Sequence, residues 1–320
     1  MHLPERGKVL ERMEDTTTVQ QPSIVKIGCT HPAEPEPESN ASSGDVAVVE
    51  FKSVSKWFDD QRDGARIKAL ENLNLSIGHD EAGVFLVLLG PSGCGKSTIL
   101  NLISGLALAD AGEVRVFGER VTGPSIYSAT VPQAYTCFPW LTVRENVEFG
   151  LMLQNKPREV AEEYLNRVGL GDRLNARPKQ LSGGMQQRVA IARTLAIKPK
   201  IVLMDEPFGA LDAQTRADMQ QMLVDLWIEE KNTIIFVTHD INEALLLADR
   251  IVVFPSRPAG KFRDLRVNFA RPRRPTLARE EEFMKLSESL LGLLKTGSTS
   301  EPLNVSIGKE STVIEEGEHE

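Results

Sequence analysis

The chain has 320 residues, 41% of them hydrophobic and 26% charged, which are the proportions of an ordinary globular protein. Its formal net charge of −8 comes from the two ends, because residues 1–45 hold eight acidic and four basic side chains and residues 301–320 hold six glutamates and one lysine. The nearly neutral middle lacks the basic excess of a nucleic-acid-binding domain, so we expect no nucleic-acid partner. The sequence also lacks an apolar run of membrane-spanning length and the apolar segment of a secretory signal.

Two terminal segments have the composition of disordered chain. Residues 1–45 include the proline- and glutamate-rich stretch 32–38 and are poor in aromatic side chains, and residues 297–320 are acidic. Neither segment can bury enough apolar surface to offset the entropy that is lost on ordering. The ordered part is predicted to begin with the alternating strand at 46–51, and strands then alternate with helices up to about residue 275, which is the pattern of an α/β domain.

A glycine-rich loop lies between a predicted strand and a predicted helix. Val84–Leu89 has the continuous apolar pattern of a buried strand, Gly90–Ser97 reads Gly-Pro-Ser-Gly-Cys-Gly-Lys-Ser, and apolar residues at helical spacing follow. This context indicates a P-loop, whose backbone N–H groups and helix N-terminus surround phosphate oxygens. Lys96 is predicted to contact the β- and γ-phosphates of ATP, and Ser97 to bind Mg²⁺. The predicted ATP-binding residues are Gly90, Pro91, Ser92, Gly93, Cys94, Gly95, Lys96, Ser97 and Thr98.

Two further polar motifs lie at the ends of predicted elements. Leu181–Arg188 places a serine and two glycines at the start of a helix, where free backbone N–H groups form a second anion site. Ile201–Met204 has the pattern of a core strand and leads into Asp205 and Glu206. Asp205 is predicted to hold Mg²⁺ through water, and Glu206 is predicted to be the general base that polarises the attacking water.

The order and spacing of these motifs resemble those of the ABC ATPases, and Leu181–Arg188 is similar to their signature motif in the form typical of import systems. The resemblance implies an α/β P-loop NTPase with a mixed-sheet core, an antiparallel β subdomain and a helical signature subdomain. It also implies a head-to-tail dimer, in which the signature of one subunit covers the ATP on the P-loop of the other. ATP and Mg²⁺ are the implied cofactors. The signature residues expected to contact the partner's ATP are Leu181, Ser182, Gly183, Gly184 and Gln186.

Other positions match landmarks of the same family. Phe58 matches the aromatic residue that stacks on adenine, with Trp57 as the alternative position and a core role at a strand end as the other interpretation. Gln133 matches the glutamine loop that contacts Mg²⁺ and the attacking water and senses the membrane partner. Asp212 matches the loop through which the two subunits communicate, and His239 matches the switch histidine near the γ-phosphate.

The resemblance covers about residues 46–295 and predicts four parts: a disordered extension (1–45), an ABC ATPase domain (46–275), an amphipathic helix (276–296) and a disordered acidic tail (297–320). The helix is predicted to pack on the surface of its own domain, and docking of a partner is the alternative. The apolar residues that predict it recur at three- and four-residue steps and are Phe283, Leu286, Leu290 and Leu294.

A narrower resemblance is carried by Phe138–Val143, which reads Phe-Pro-Trp-Leu-Thr-Val and is similar to an element of the nitrate/sulfonate/taurine importer ATPases. Ala248–Phe254, Ser256–Gly260 and Arg271–Arg273 are similar to the same branch. The Pro-Trp pair is predicted to form a rigid apolar ledge for a helix of the permease, and a core role for Trp140 is the alternative. The stretch just before that proline and the two acidic tails depart from the branch.

Together these features predict the ATP-hydrolysing subunit of an ABC importer, which energises uptake of a small anion of the nitrate, sulfonate or taurine type. The expected partners are separate integral-membrane permease subunits, a second identical or related ATPase subunit and, indirectly, an extracytoplasmic solute-binding protein. The expected location is the cytoplasmic face of the inner or plasma membrane. No residue of the chain is expected to select the solute.

Two other functions are less consistent with the sequence than this one. A soluble ABC ATPase of translation or DNA repair would carry two cassettes or long coiled coils, and the sequence shows one cassette and no heptads. A catalytically silent scaffold is disfavoured because the positions assigned to chemistry are intact. These positions are Lys96, Gln133, Asp205, Glu206 and His239.

Overall fold

The computed structural model describes residues 47–59, 66–78, 83–134, 136–254 and 262–296. The predicted N-terminal extension (1–45), the acidic tail (297–320) and the segment Ser256–Gly260 lie outside the described residues.

The described part of the chain contains ten strands and seven α-helices. They are β1 (Val49–Asp59), β2 (Arg66–Ile77), β3 (Phe85–Leu89), α1 (Lys96–Ser104), β4 (Ala111–Val116), β5 (Glu119–Arg120), β6 (Ser128–Val131), α2 (Val143–Leu153), α3 (Val160–Arg167), α4 (Gly183–Ala196), β7 (Ile201–Asp205), α5 (Ala213–Glu230), β8 (Thr233–Thr238), α6 (Ile241–Leu247), β9 (Arg250–Val253), β10 (Arg263–Arg266) and α7 (Glu281–Thr296). Short 3₁₀ helices lie at Gly171–Arg173, Pro178–Gln180 and Pro275–Arg279.

The central sheet has six strands in the order β10-β9-β3-β8-β7-β6. Five of these strands are parallel neighbours, and β10 pairs antiparallel with β9. The predicted mixed-sheet core of an α/β P-loop protein is therefore confirmed. Because the carboxyl ends of β3, β6, β7 and β8 meet at one edge, the loops that follow these strands lie side by side.

The strand that precedes the glycine-rich loop is buried on both faces. Alternate side chains of β3 belong to two different apolar clusters, with Phe85, Val87 and Leu89 on one face and Leu86 and Leu88 on the other. All five are fully buried. A strand covered on both faces needs a continuous apolar run rather than an alternating one, which explains the pattern in the sequence.

Two smaller units flank this sheet. A four-stranded antiparallel sheet has the order β2-β1-β4-β5, and it contributes residues such as Phe51 and Val114 to the same cluster as Leu86 and Leu88. The helices α2, α3 and α4 pack together around the buried ring of Tyr164. These are the predicted antiparallel β subdomain and helical subdomain, and both are confirmed.

The C-terminal helix α7 packs on the domain that precedes it. Phe283, Leu286 and Leu290 are buried in the large apolar cluster, as the spacing predicts, and Leu293 rather than Leu294 is the most buried residue of the last turn. The rings of Phe269 and Phe283 stack with centroids 5.8 Å apart. None of the described helices is both long and apolar enough to cross a membrane.

A buried guanidinium group joins the end of α6 to the segment after β10. The Arg273 side chain is only 2% exposed. Burial lowers the pKa of Arg273 to about 10, and the nearby charge of Arg271 acts in the same direction. The four acceptors of its N–H groups are the backbone carbonyls of Leu245, Ala248, Val267 and Phe269.

We expect Arg273→Met to destabilise the fold although it keeps most of the side-chain volume. The variant leaves buried carbonyls without their donors, which costs about 1–3 kcal/mol for each such group. A loss of about 2 kcal/mol lowers the Tm by roughly 4–8 °C in a domain of this size. Thermal unfolding measures the shift, and Arg274→Met is the matched control because Arg274 is exposed. Equal Tm values for the two variants would contradict this role of Arg273.

Candidate functional site

Four of the predicted site segments follow adjacent parallel strands. The glycine-rich loop follows β3, His239 follows β8, Glu206 follows β7 and Gln133 is close behind β6. The pairings β3–β8, β7–β8 and β6–β7 are all parallel, so the four strand ends share one edge of the sheet. The edge therefore brings together a phosphate-binding loop, carboxylates and an imidazole.

The glycine-rich loop wraps around the side chain of Lys96, which is 4% exposed. Its ammonium group donates to the carbonyls of Gly90 and Pro91, each at 2.8 Å. Gly95 has φ 112°, a conformation that side-chain-bearing residues rarely adopt, and it stands immediately before α1. A Cβ atom on Gly90 would lie 2.6 Å from the carbonyl oxygen of Phe254, so larger residues do not fit there. The loop thus holds the ammonium group of Lys96 close to the N-terminus of α1.

Behind the loop, the first turn of α1 meets the end of β7. The Ser97 hydroxyl donates to Oδ1 of Asp205 at 3.1 Å. Burial raises the pKa of Asp205, and the adjacent Glu206 charge raises it further, while the Ser97 hydrogen bond opposes the shift. A hydroxyl and a carboxylate oxygen are ligands that Mg²⁺ accepts, and a cation would relieve the repulsion between the two acids. The donor set therefore fits the predicted Mg²⁺ site.

Glu206 is held in an uncommon backbone conformation next to His239. Its φ is 43°, which is rare and strained for a residue with a side chain. Its N–H donates to the carbonyl of Val237 at 3.1 Å, and its carbonyl accepts from the N–H of Gly209 at 3.1 Å. Oε2 of Glu206 lies 3.3 Å from Nδ1 of His239. These bonds point the carboxylate toward the imidazole at the sheet edge.

Gln133 lies at the same edge and its side chain is exposed. Within the described residues it has no hydrogen bond to Ser97 or Asp205, so these groups are neighbours along the edge rather than a bonded cluster. The chain just after it is fixed to α4, because Arg193 donates to the carbonyl and hydroxyl of Thr136 at 2.9 and 2.8 Å.

Phe58 lies near the end of β1, in the four-stranded sheet. Its side chain is 44% exposed, which excludes the core interpretation, and the ammonium of Lys56 lies 5.5 Å from its ring centroid. Trp57, the alternative, is less exposed, and its backbone N–H donates to Asp110 at 2.7 Å. An exposed aromatic face suits stacking on a flat ring.

The signature residues form the start of α4. Ser182 is the N-cap, and its hydroxyl accepts from the N–H of Met185 at 3.3 Å. A Cβ atom on Gly184 would lie 2.6 Å from the side chain of Thr215, so α4 and α5 approach closely there. The amide of Gln186 donates to the carbonyls of Pro178 and Leu181, which fixes the preceding turn of its own subunit. Within the described residues, the backbone N–H groups of Gly183 and Gly184 are thus the donors left at the helix end, whereas the N–H of Met185 and the amide nitrogen of Gln186 are already engaged.

Asp212 is the N-cap of α5. Its carboxylate accepts from the backbone N–H of Thr215 at 3.0 Å and from the Thr215 hydroxyl at 2.8 Å. These hydrogen bonds hold the pKa of Asp212 below its usual value. The predicted communication loop therefore ends in a firmly capped helix.

Sequence reasoning missed a polar network beside His239. Glu243 is 6% exposed, and it accepts from the side-chain amide of Gln220 at 3.0 Å. Burial raises the pKa of Glu243, and the nearby polar groups of Thr238 and Gln220 oppose the shift. The spacing Asp240-x-x-Glu243 is that of a helix-capping pair and is the one signal in the sequence that could have located it.

Exposed apolar residues adjoin the segment after Gln133. Trp140 is 66% exposed, so it is not a core residue, and the Phe138 ring lies between it and α2 with centroid distances of 5.5 Å to Trp140 and 4.9 Å to Phe149. Met152 and Leu153 continue the same face of α2 and are 46% and 66% exposed. We call Trp140, Phe149, Met152 and Leu153 the Trp140 surface.

The chain is similar to known ATP-binding proteins of ABC transporters. Residues 70–209 match the family described as ABC transporter. The chain is 47% identical over 263 residues to the nitrate import ATP-binding protein NrtD of Synechocystis sp., covering 79% of this chain and 97% of that protein. It is 41% identical over 251 residues to the aliphatic sulfonates import ATP-binding protein SsuB of Bacillus thuringiensis, covering 78% and 97%.

Solved structures show the same likeness. An ATP-binding cassette solved as a dimer in a post-hydrolysis state, with ADP and Pi, matches with a TM-score of 0.61 and 35% identity. The match covers 69% of this chain and 100% of that one.

Proposed function

The chain belongs to the ABC transporter ATPase family, and from that premise we propose that it energises import of a small anionic solute through a separate permease. The chain is an ATPase and the ATP-binding subunit of a transporter. The proposed chemistry rests on one observation. At the shared sheet edge, Ser97 donates a hydrogen bond to Asp205, and Glu206 lies 3.3 Å from His239. The P-loop above this edge supplies the phosphate site.

In the proposed reaction, Glu206 accepts a proton from the water that attacks the γ-phosphorus of ATP. His239, 3.3 Å from Glu206, holds the γ-phosphate in line, and Lys96 with the loop N–H groups stabilises the charge on the departing ADP. Ser97, Asp205 and Gln133 would hold Mg²⁺, which neutralises phosphate charge when it is bound. Phe58 would stack on the adenine.

The proposed site is shared between two subunits. The N–H groups after Ser182 form an anion site at a helix N-terminus, and they would cover the ATP held by the P-loop of a second copy or of a close relative. Closure of this dimer would drive the permease from one access state to the other, and hydrolysis would reset it. In this arrangement the chain would lie at the cytoplasmic face of the inner or plasma membrane.

We propose that the Trp140 surface is where the permease docks. An exposed cluster of Trp, Phe, Met and Leu is typical of a protein interface, and aromatic residues dominate the energy of such contacts. The surface also adjoins the segment after Gln133, so movement of a docked helix would reach the ATP site directly. The names of the relatives favour nitrate or aliphatic sulfonate as the solute, together with other sulfonates such as taurine.

The proposed transport role is tested by uptake in the source organism. Strains that lack the chain should lose uptake of labelled nitrate, of taurine or of an alkanesulfonate, and the affected solute identifies the cargo. Strains carrying Trp140→Ala should show uptake reduced by roughly 10-fold or more, since central aromatic anchors contribute at least 2 kcal/mol of binding. The purified Trp140→Ala protein should keep its basal ATPase rate, because Trp140 is outside the ATP site.

The matched control is Leu106→Ala. Leu106 is 68% exposed and follows α1 in a different part of the chain, so its truncation removes similar apolar surface elsewhere. Uptake that is equally impaired by both substitutions, or by neither, would argue against the Trp140 surface as the docking site. Normal uptake of all three solutes in the deletion strain would reject the proposed solute class.

A further inference from the structure

The turn that carries His239 is held by two polar side chains, those of Thr238 and Asp240. The hydroxyl of Thr238 accepts the backbone N–H of Asp240 at 3.0 Å. The backbone N–H of Glu243 in turn donates to Oδ1 of Asp240 at 3.0 Å. These bonds link the residues on either side of His239 to each other and to the first turn of α6, and neither involves its imidazole.

The turn is also connected to α5. Gln220 donates its side-chain amide to Glu243 at 3.0 Å. One helical turn earlier, Arg216 lies 3.9 Å from Asp240 and donates to the carbonyl of Leu211 at 3.0 Å. Asp212, Arg216 and Gln220 are four residues apart and therefore share one face of α5. That face runs from the predicted communication loop to the His239 turn.

The burial of this network is the observation that calls for a role. Glu243 is 6% and Thr238 is 2% exposed, and a buried carboxylate is costly unless its hydrogen bonds return a comparable energy. An apolar residue at position 243 would fill the same place without that cost. We therefore infer that the network serves to fix the conformation of the His239 turn and not to stabilise the fold.

We propose that Thr238, Glu243 and Gln220 are positioning residues, which hold His239 in place for hydrolysis and connect its turn to the loop at Asp212. This inference rests on the proposed role of His239 in the ATP site. In this role the three residues act through the backbone on either side of His239. Any shift of the Asp212 loop would reach His239 through rigid hydrogen bonds along α5.

The test compares Thr238→Val with Thr238→Ser in the full chain. Valine has the shape of threonine but lacks the hydroxyl, and serine keeps the hydroxyl. Thr238→Val should lower the kcat of ATP hydrolysis by about 10- to 100-fold with little change in KM, since misplacing a catalytic group by about 1 Å costs up to that much. Thr238→Ser should restore most of the rate. A purely structural role would lower the Tm and leave kcat in place.

Glu243→Gln provides a second route if Thr238→Val does not fold. Its amide replaces one acceptor oxygen by a donor, so it should lower kcat in the same direction. The double variant Thr238→Val/Glu243→Gln should lose no more than the more impaired single variant, because both changes act on the same turn. Gln220→Leu should also lower kcat, and an unchanged rate there would overturn the connection through α5.

The variant His239→Ala separates the two proposals. If it retains full turnover, the proposed role of His239 fails. If it loses turnover while Thr238→Val and Glu243→Gln keep the parental kcat, the role of His239 stands and the positioning network is overturned. Additive losses of kcat in the double variant would likewise contradict the proposal that Thr238 and Glu243 act as one unit.

Discussion

Glu206→Gln is expected to lower the kcat of ATP hydrolysis by about 10²- to 10⁴-fold, the range that a general base contributes to proton transfer. The substitution keeps the shape of the side chain and its proximity to His239 but removes the carboxylate that would accept the proton. Binding of ATP should persist, because the phosphate-binding loop and Lys96 are unchanged. Steady-state phosphate release measures the rate, and a fluorescent ATP analogue measures binding.

The same variant should accumulate the ATP-bound dimer. If ATP holds two subunits together and hydrolysis separates them, blocking hydrolysis lengthens the life of the closed state. Size-exclusion chromatography with ATP should then show a dimer that the parent protein forms only transiently.

Glu119→Gln is the control, because Glu119 is exposed on β5 and the substitution removes the same charge away from the sheet edge. Turnover of Glu206→Gln equal to that of the parent would show that another group activates the water.

The meeting of Ser97 with Asp205 could be predicted because it depends on local pattern and simple topology. Buried strands followed by polar residues are visible in the sequence, and parallel strands put their carboxyl ends at one edge. The same topology brings Glu206 and His239 to one edge of the sheet, where they lie 3.3 Å apart. Residues that follow neighbouring parallel strands can be predicted to lie together, because the sheet fixes their relative positions.

Other features depend on how separate elements dock, and no local pattern encodes that. Gln220 reaches Glu243 only because α5 and α6 pack with a particular rotation, and the two residues are 23 positions apart. The φ of 43° at Glu206 is likewise set by its bonds to Val237 and Gly209, since the residue type alone disfavours it. The exposure of Trp140 could not be settled either, because a tryptophan after a proline suits a core as well as an interface.

The second large effect on turnover is expected when a negative charge is introduced at Ser182, in the signature motif. Ser182→Asp should lower turnover by about 100- to 1,000-fold. A carboxylate about 4 Å from phosphate oxygens at an effective dielectric constant of about 20 costs about 4 kcal/mol. Ser182→Asn is its matched control, since Asn and Asp are equally good helix N-caps and differ here in charge. Loss with Asp and retention with Asn would therefore report on the anion site and not on the stability of α4.

The step that fails in the Ser182→Asp protein distinguishes an ATP site shared between two subunits from a site within one subunit. If Ser182 faces the ATP of a second subunit, the Ser182→Asp protein should still bind ATP as a monomer and fail only in ATP-dependent dimerisation and hydrolysis. Lys96→Ala should behave in the opposite order and lose ATP binding first, because Lys96 lies within the loop that holds the phosphates. If monomeric ATP binding fell in parallel with turnover in Ser182→Asp, the serine would have to contact ATP within its own subunit, and the head-to-tail arrangement would be wrong.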